Sequence, residues 1–252
     1  MRSIRLIVAY DGGDYAGWQI QPGQVTVQEV LEGAIGKVTG EPARAVASGR
    51  TDAGVHALGQ VVGFRTASRL PADVLRRALN AELPCDVAVL DAREAPEGFH
   101  PIRDAVRKRY RYVIHDGPVR DVFGRRYCWH YRSRLDAAAM RRAAGALLGR
   151  HDFRSFETSG APRKDSIRTI YDLEVERGRG EGGDRITVEV EADGFLYNMV
   201  RAIVGSLVDV GRGAQDASWL ARVLAARDRR RAGPTAPPQG LFLVRVELKD
   251  EG

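Results

Sequence analysis

This sequence of 252 residues predicts an α+β fold of two consecutive halves, each a ferredoxin- or RRM-like split βαβ unit. Three observations carry that prediction. Short runs of alternating, branched side chains mark strands, and they are interspersed with segments of 3–4 apolar spacing that mark helices. The order strand–helix–strand–strand–helix–strand runs once to about residue 105 and then begins again. No long linker separates the halves. The expected domains are therefore 1–105 and 106–252, sharing a mixed, mostly antiparallel sheet with helices on one face and a basic cleft between the halves.

In the first half, "SIRLIVAY" (3–10) alternates as a strand and is followed by the loop "DGGDYAGWQIQPGQ". Thr26 and Glu29 form a capping-box pattern ahead of a helix to about Val38. A strand near 43–48 leads into "SGRTDAGVHA", and "QVVGFRT" (60–66) leaves it. "LPADVLRRALNAEL" reads as a helix with Pro71 at its first position, and "DVAVLDARE" as the closing strand.

In the second half, "RKRYRYVIHD" is a strand with Tyr110, Tyr112 and Ile114 on one face and Arg109, Arg111 and Val113 on the other. A helix at 135–149 follows, then the strands "SIRTIYDLEVERG" and "DRITVEVEAD", with 177–185 as an exposed hairpin tip. A long helix runs from Phe195 to about Val210, an extra helix spans 216–228, and "LFLVRVEL" is the last strand.

Composition bounds the function. Apolar content of 44% with 29% charged residues fits a folded soluble chain. No apolar run approaches the length of a membrane span, and "MRSIRLIVAY" meets Asp11 too soon for a secretory segment. The expectation is a cytoplasmic protein with no membrane partner. Cys85 and Cys128 lack CxxC spacing, and the five histidines show no HxxxH or HxE pattern, so no metal is expected. There is no GxSxG elbow, no Walker lysine and no GxGxxG, so neither triad chemistry nor a nucleotide cofactor is expected. The net charge is +6, with 35 Arg against 4 Lys. Arginine's fork suits phosphate contacts and base stacking, although a GC-rich coding sequence would produce the same excess.

Within "SGRTDAGVHA", extended geometry would set Arg50 and Asp52 on one face, where the guanidinium favours an ionised carboxylate. Gly49 and Gly54 leave room for a ligand. A carboxylate kept charged suits a nucleophile or a base. An Asx-type turn carrying a surface ion pair fits the same residues.

Cations interleave with aromatics in "IRDAVRKRYRY" (102–112) and "RDVFGRRYCWHYRSR" (120–134), and "RDRRR" (227–231) ends the extra helix. Charge for phosphates beside rings for bases is the footprint of a nucleic-acid surface; a solvated strand face fits either segment singly. The long helix carries the apolar stripe Leu196, Met199, Val200, Ile203, Val204, Leu207 and Val208. Arg201 interrupts it, and a partly buried arginine requires an anionic partner; Asp52 is the expected one.

"GRTDAGVHA" with "GQVVGF" resembles the active-site signature of the bacterial tRNA pseudouridine synthase A (TruA) family. The resemblance continues through "YDGGDYAGWQIQP", "KRYRYVIHDG", "GRHDFRSF", "DGFLYNMVRAIVGSLVDVGRG" and "RRAGPTAPPQGLFLVRV", in order along the whole chain. It implies isomerisation of uridine to pseudouridine at positions 38–40 in the tRNA anticodon stem-loop, by a homodimer that needs no cofactor or metal. It places the catalytic aspartate at Asp52, the active-site tyrosine at Tyr110, the pairing arginine at Arg201 and a pocket-lining leucine at Leu241; Arg50, beside Asp52 by spacing, is expected as a further substrate-binding group. Two rivals remain at this level: a non-catalytic RNA-binding module, which would lack the RNP aromatic signature, and a carboxylate-based nucleoside N-glycosidase.

Overall fold

The computed structural model describes residues 1–158, 165–178 and 183–249. Their strands are β1 (Arg2–Tyr10), β2 (Val46–Ala47), β3 (His56–Thr66), β4 (Val87–Ala95), β5 (Ala105–His115), β6 (Trp129–His130), β7 (Gly149–Asp152), β8 (Ile167–Arg177), β9 (Arg185–Ala192) and β10 (Leu241–Leu248). The helices are α1 (Val27–Thr39), α2 (Ala72–Glu82), α3 (Ala137–Ala144), α4 (Met199–Gly211) and α5 (Trp219–Ala226). The class is α+β, and the strand pairing is mostly antiparallel.

The chain divides into two compact units, residues 1–106 with the last strand from Phe242, and residues 107–241. In the first, β1 sits between β3 and β4, antiparallel to both, and β2 pairs with β3. That order, 4-1-3-2, is a split βαβ unit. Ile4, Leu6, Val8 and Tyr10 alternate into the core along β1, as the sequence pattern requires. Thr26 caps α1 by accepting a hydrogen bond from the Glu29 N–H at 3.4 Å. The pairing of β1 with β3 shifts register between Val8 and Tyr10, a bulge of the kind that re-aims side chains beside functional loops.

The final strand, expected with the second half, belongs to the first unit. It runs parallel to β3 at Phe242–His56 and Leu243–Ala57, and the Phe242 ring stacks on the His56 imidazole with centroids 4.8 Å apart.

In the second unit β9 lies between β5 and β8, antiparallel to both; β7 pairs with β8, and β6 with β5. Tyr110, Tyr112 and Ile114 are buried along β5 as expected. The stripe on α4 is buried throughout. This helix starts four residues later than predicted, because Asn198 adopts a left-handed φ of 60° that breaks the turn after Leu196. Three other boundaries move. Pro71 is the N-cap of α2, not its first residue. The helix predicted at 135–149 ends at Ala144 and continues as a 3-10 turn. The extra helix is only Trp219–Ala226, so "RDRRR" lies beyond it, partly in a 3-10 turn. The flanks of the predicted hairpin at 177–185 close through the Gly178 N–H to the Arg185 carbonyl at 2.9 Å, while positions 179–182 at its tip lie outside the described residues.

Candidate active site

The loop between β2 and β3 is held at nearly every residue. The Ser48 N–H donates to the Val61 carbonyl at 2.9 Å, and the Gln60 amide donates to the Gly49 carbonyl at 2.7 Å. The Thr51 hydroxyl shares a 2.8 Å hydrogen bond with the Tyr10 phenol, and the Thr51 carbonyl accepts from the Trp18 N–H at 3.0 Å. Asp52 follows and closes a turn, its carbonyl accepting from the Val55 N–H at 3.1 Å. Its side chain is only half-buried, while Ser48, Thr51, Val55 and His56 around it are buried. A carboxylate is thus presented from a fixed backbone, which is what positioning for chemistry demands.

The glycine-rich loop 11–18 is the surface on which this turn rests. A Cβ on Gly12 would lie 1.9 Å from the Val55 carbonyl oxygen, and one on Gly17 2.7 Å from the Thr51 carbonyl oxygen. No side chain fits at either position. The Tyr15 phenol donates to Asp86 at 2.7 Å, and the Gly54 N–H reaches the Tyr15 carbonyl at 3.4 Å. Burial pushes the Tyr10 pKa up to about 12, so its hydroxyl keeps its proton at neutral pH. Sequence reading dismissed these glycines as nucleotide motifs and missed Tyr10, Trp18 and Gln60. The resemblance was the signal that could have found them: its N-terminal loop covers Tyr10 and Trp18, and "GQVVGF" carries Gln60.

Arg50 departs from expectation. It is exposed and makes no ion pair or hydrogen bond among the described residues, so it is not paired with Asp52. Strand β2 ends at Ala47, so the rule that residues two apart share a face lapses before residue 50.

The second unit builds its own constellation around the start of α4. Tyr110 is buried, edge-on to Phe195 with centroids 4.9 Å apart. Arg201 is half-buried in the first turn of α4; its Nε donates to the Ala236 carbonyl at 2.7 Å and its Nη1 to Asn198 Oδ1 at 2.9 Å. The left-handed Asn198 therefore aims its amide at the guanidinium. The segment 233–237 straps this helix: the Ala236 N–H donates to the Arg201 carbonyl at 3.0 Å, and a Cβ on Gly205 would overlap the Pro234 carbonyl oxygen. The Tyr112 phenol, its pKa raised by burial, donates to the Pro237 carbonyl at 2.7 Å. Leu241 is buried at the head of β10.

Much of the expected phosphate-binding charge is used internally. Arg109 meets Asp172 at 2.8 Å and Glu189 and Glu191 each at 3.0 Å, Arg111 meets Glu189 at 2.7 Å, and Arg107 lies 3.6 Å from Glu191. The guanidinium of Arg227 lies 3.4 Å from Asp152, and that of Arg230 2.9 Å from Asp228. These segments follow the plainer reading of charged faces. Among the described residues, no group of three His, Cys, Asp or Glu is placed to hold a metal ion.

Comparison with known proteins agrees with this arrangement. The chain matches the family described as tRNA pseudouridine synthase over residues 6–102 and 143–248. It is 46% identical over 246 residues to the tRNA pseudouridine synthase A of Thermoanaerobacter sp. (strain X514), covering 98% of this chain and 99% of that one. Identity is 48% over 246 residues to the enzyme of the same name from Brevibacillus brevis, covering 98% and 99% of the two chains. It is also 48% over 248 residues to that of Geobacter sulfurreducens, covering 98% and 100%. On a match of this extent, with the "GRTDAGVHA" loop clamped as described, the chain belongs to the tRNA pseudouridine synthase family, isomerases that convert uridine in tRNA to pseudouridine.

Proposed function

We propose that this enzyme acts on uridines 38, 39 and 40 of the tRNA anticodon stem-loop, as a cytoplasmic homodimer, with Asp52 as its catalytic carboxylate. The reaction breaks the N1–C1′ bond, turns the uracil over and joins C5 to C1′, with a proton leaving C5 and one gained at N1. Nothing is oxidised and no group is added, so one carboxylate and a confining site suffice. An ionised Asp52 either attacks C1′ or takes the 2′ proton to leave a glycal. The target uridine must first leave its stack, at a cost of a few kcal/mol. Tyr110 offers a ring for the extruded base, and its hydroxyl is the group to assist loss of the C5 proton. Arg201, held by backbone and Asn198, is the cation proposed to pair with Asp52, and Leu241 is the apolar wall. Arg50, exposed and uncommitted among the described residues, is proposed as a contact to a substrate phosphate.

The observation that supports this reading best is the fixed Thr51–Asp52 backbone, tied to Tyr10 and Trp18, with its carboxylate left half-exposed. The test is tritium release from C5-labelled uridine tRNA by wild type and by Asp52→Asn, with free uracil assayed in parallel. Release by wild type alone, without free base, is expected. Turnover by Asp52→Asn near the wild-type rate sinks the role of Asp52, and free uracil replaces isomerisation by glycosidase chemistry.

A further inference from the structure

One aromatic cation-rich segment stands apart from the compensated ones. In the loop 117–128 the Phe123 ring is 93% exposed, with Val119 75% and Val122 57% exposed beside it. Such a ring, left in water, forgoes roughly 1.5–3 kcal/mol of burial. The loop is nonetheless rigidly built. Asp121 accepts from the Phe123 N–H at 3.1 Å and the Gly124 N–H at 2.8 Å, and is itself met by Arg185 at 2.5 Å. The His115 ring reaches the Val119 carbonyl at 2.8 Å, the His130 ring the Gly117 carbonyl at 3.0 Å, and the Tyr127 N–H the Gly124 carbonyl at 2.8 Å. From the same loop and β6 onward, Pro118, Val119, Arg120, His130 and Arg132 line an open pocket of about 370 Å³. Arg120 and Arg132 are exposed and, among the described residues, have no carboxylate or hydrogen-bond partner. The one acid of the loop, Asp121, is already taken by Arg185.

We propose that this loop is an RNA-contacting surface, on which the Phe123 ring stacks against an unpaired base while Arg120 and Arg132, beside His130, hold a backbone phosphate. The inference rests on the reading of the chain as a tRNA enzyme and adds a contact site remote in sequence from its catalytic loop. Charge complementarity selects the occupant. Two exposed arginines with no carboxylate partner among the described residues match a polyanion, which neutralises both. The backbone that carries the ring is held in advance by Asp121, so little ordering of the loop is needed on binding.

The test is equilibrium binding of a tRNA transcript to the full-length protein across a salt series, with thermal melts to confirm folding. Phe123→Ala is expected to weaken binding roughly 5- to 100-fold, and Phe123→Trp to retain it, as base stacking requires. Arg120→Ala with Arg132→Ala is expected to lower the salt slope by about 1, the unit expected for one lost phosphate contact, and the paired lysine variants to restore it. Folded variants with unchanged affinity and slope overturn the inference while wild-type tritium release leaves the enzymatic reading intact. Affinity lost only together with self-association, by sedimentation, assigns the loop to contact between copies and overturns the inference too. Absence of pseudouridine formation by wild type sinks the functional reading and this one with it.

Discussion

The Tyr10 phenol on β1 and the Thr51 hydroxyl share a 2.8 Å hydrogen bond across 41 positions of sequence, one residue before the catalytic aspartate proposed here. The Gln60 amide lies 3.5 Å from the same phenol oxygen as a donor, which directs the Tyr10 proton toward Thr51. Tyr10→Phe leaves the Thr51 hydroxyl buried with no partner at that end. Stability is expected to fall by about 1–3 kcal/mol, the cost of an unsatisfied buried group. Because the backbone of Asp52 shifts with Thr51, kcat is expected to fall roughly 10- to 100-fold with little change in tRNA affinity. Denaturant unfolding and single-turnover kinetics check the two effects separately. Unchanged kcat in a destabilised variant would make the bond purely structural.

Gly17 has a φ of 94° and faces the Thr51 carbonyl; Gly23 has a φ of 72° and open space where a Cβ would stand. Both alanine variants suffer the left-handed backbone, at about 1–2 kcal/mol. Only Gly17→Ala also drives a methyl into the Thr51–Ala53 backbone. Turnover is therefore expected to drop at least tenfold in Gly17→Ala and to stay near wild type in Gly23→Ala. Equal losses would trace the effect to backbone strain in the loop, not to contact with Thr51.

The difference between these glycines explains what the sequence made legible. Period-2 alternation in Ile4, Leu6 and Val8, and the helical stripe from Met199 to Val208, are local patterns that report a buried face, so strands and helices were readable. Resemblance, not spacing, singled out Asp52. Contacts such as Tyr10 to Thr51, or Gly12 to the Val55 carbonyl, join distant segments, and no local pattern encodes them. The left-handed turn at Asn198 hid inside the apolar stripe because Leu196 is buried whether or not it is helical. The cations of β5 had a readable counterpart: Arg109 and Arg111 lie opposite Glu191 and Glu189 on β9, and those acids alternate in step with them. Reading both strands together would have assigned the charge to the sheet.

Arg201 uses the planar geometry of its guanidinium, with Nε on the Ala236 carbonyl and Nη1 on Asn198. Lysine cannot reproduce that fork. Arg201→Lys is expected to lose at least tenfold in kcat although the charge is kept. If Arg201 pairs with Asp52 as proposed, a double-mutant cycle with Asp52→Asn will be strongly non-additive, since neither loss can be counted twice. Additive losses would leave Arg201 as a clamp for the 233–237 segment and no more.

Asp116 is the buried carboxylate expected to contribute most to the acid limit of the fold. It is buried, accepts from the Leu135 N–H at 2.9 Å, and takes both Nη atoms of Arg177 at 2.9 and 2.7 Å. Burial alone would raise its pKa, but the Arg177 guanidinium and the Leu135 amide hold the carboxyl below its usual range. Glu189 is lowered in the same way: burial opposes, while Arg109 and Arg111 prevail. A folded-state pKa below the unfolded value means stability that is fully present above about pH 5 and is lost as pH falls through the unfolded-state and then the folded-state pKa. Melting temperature should therefore hold from neutral pH down to about pH 5 and then fall steeply. Asp116→Asn, which removes the charge but keeps the side-chain shape, leaves the half-buried Arg177 beside a neutral amide, still donating to the Gly183 and Leu135 carbonyls. It is expected to cost about 1–3 kcal/mol at neutral pH and to flatten the acid limb of the profile. An acid limb as steep in Asp116→Asn as in wild type would move the pH sensitivity to other carboxylates, with the Arg109–Glu189 group next to be tested.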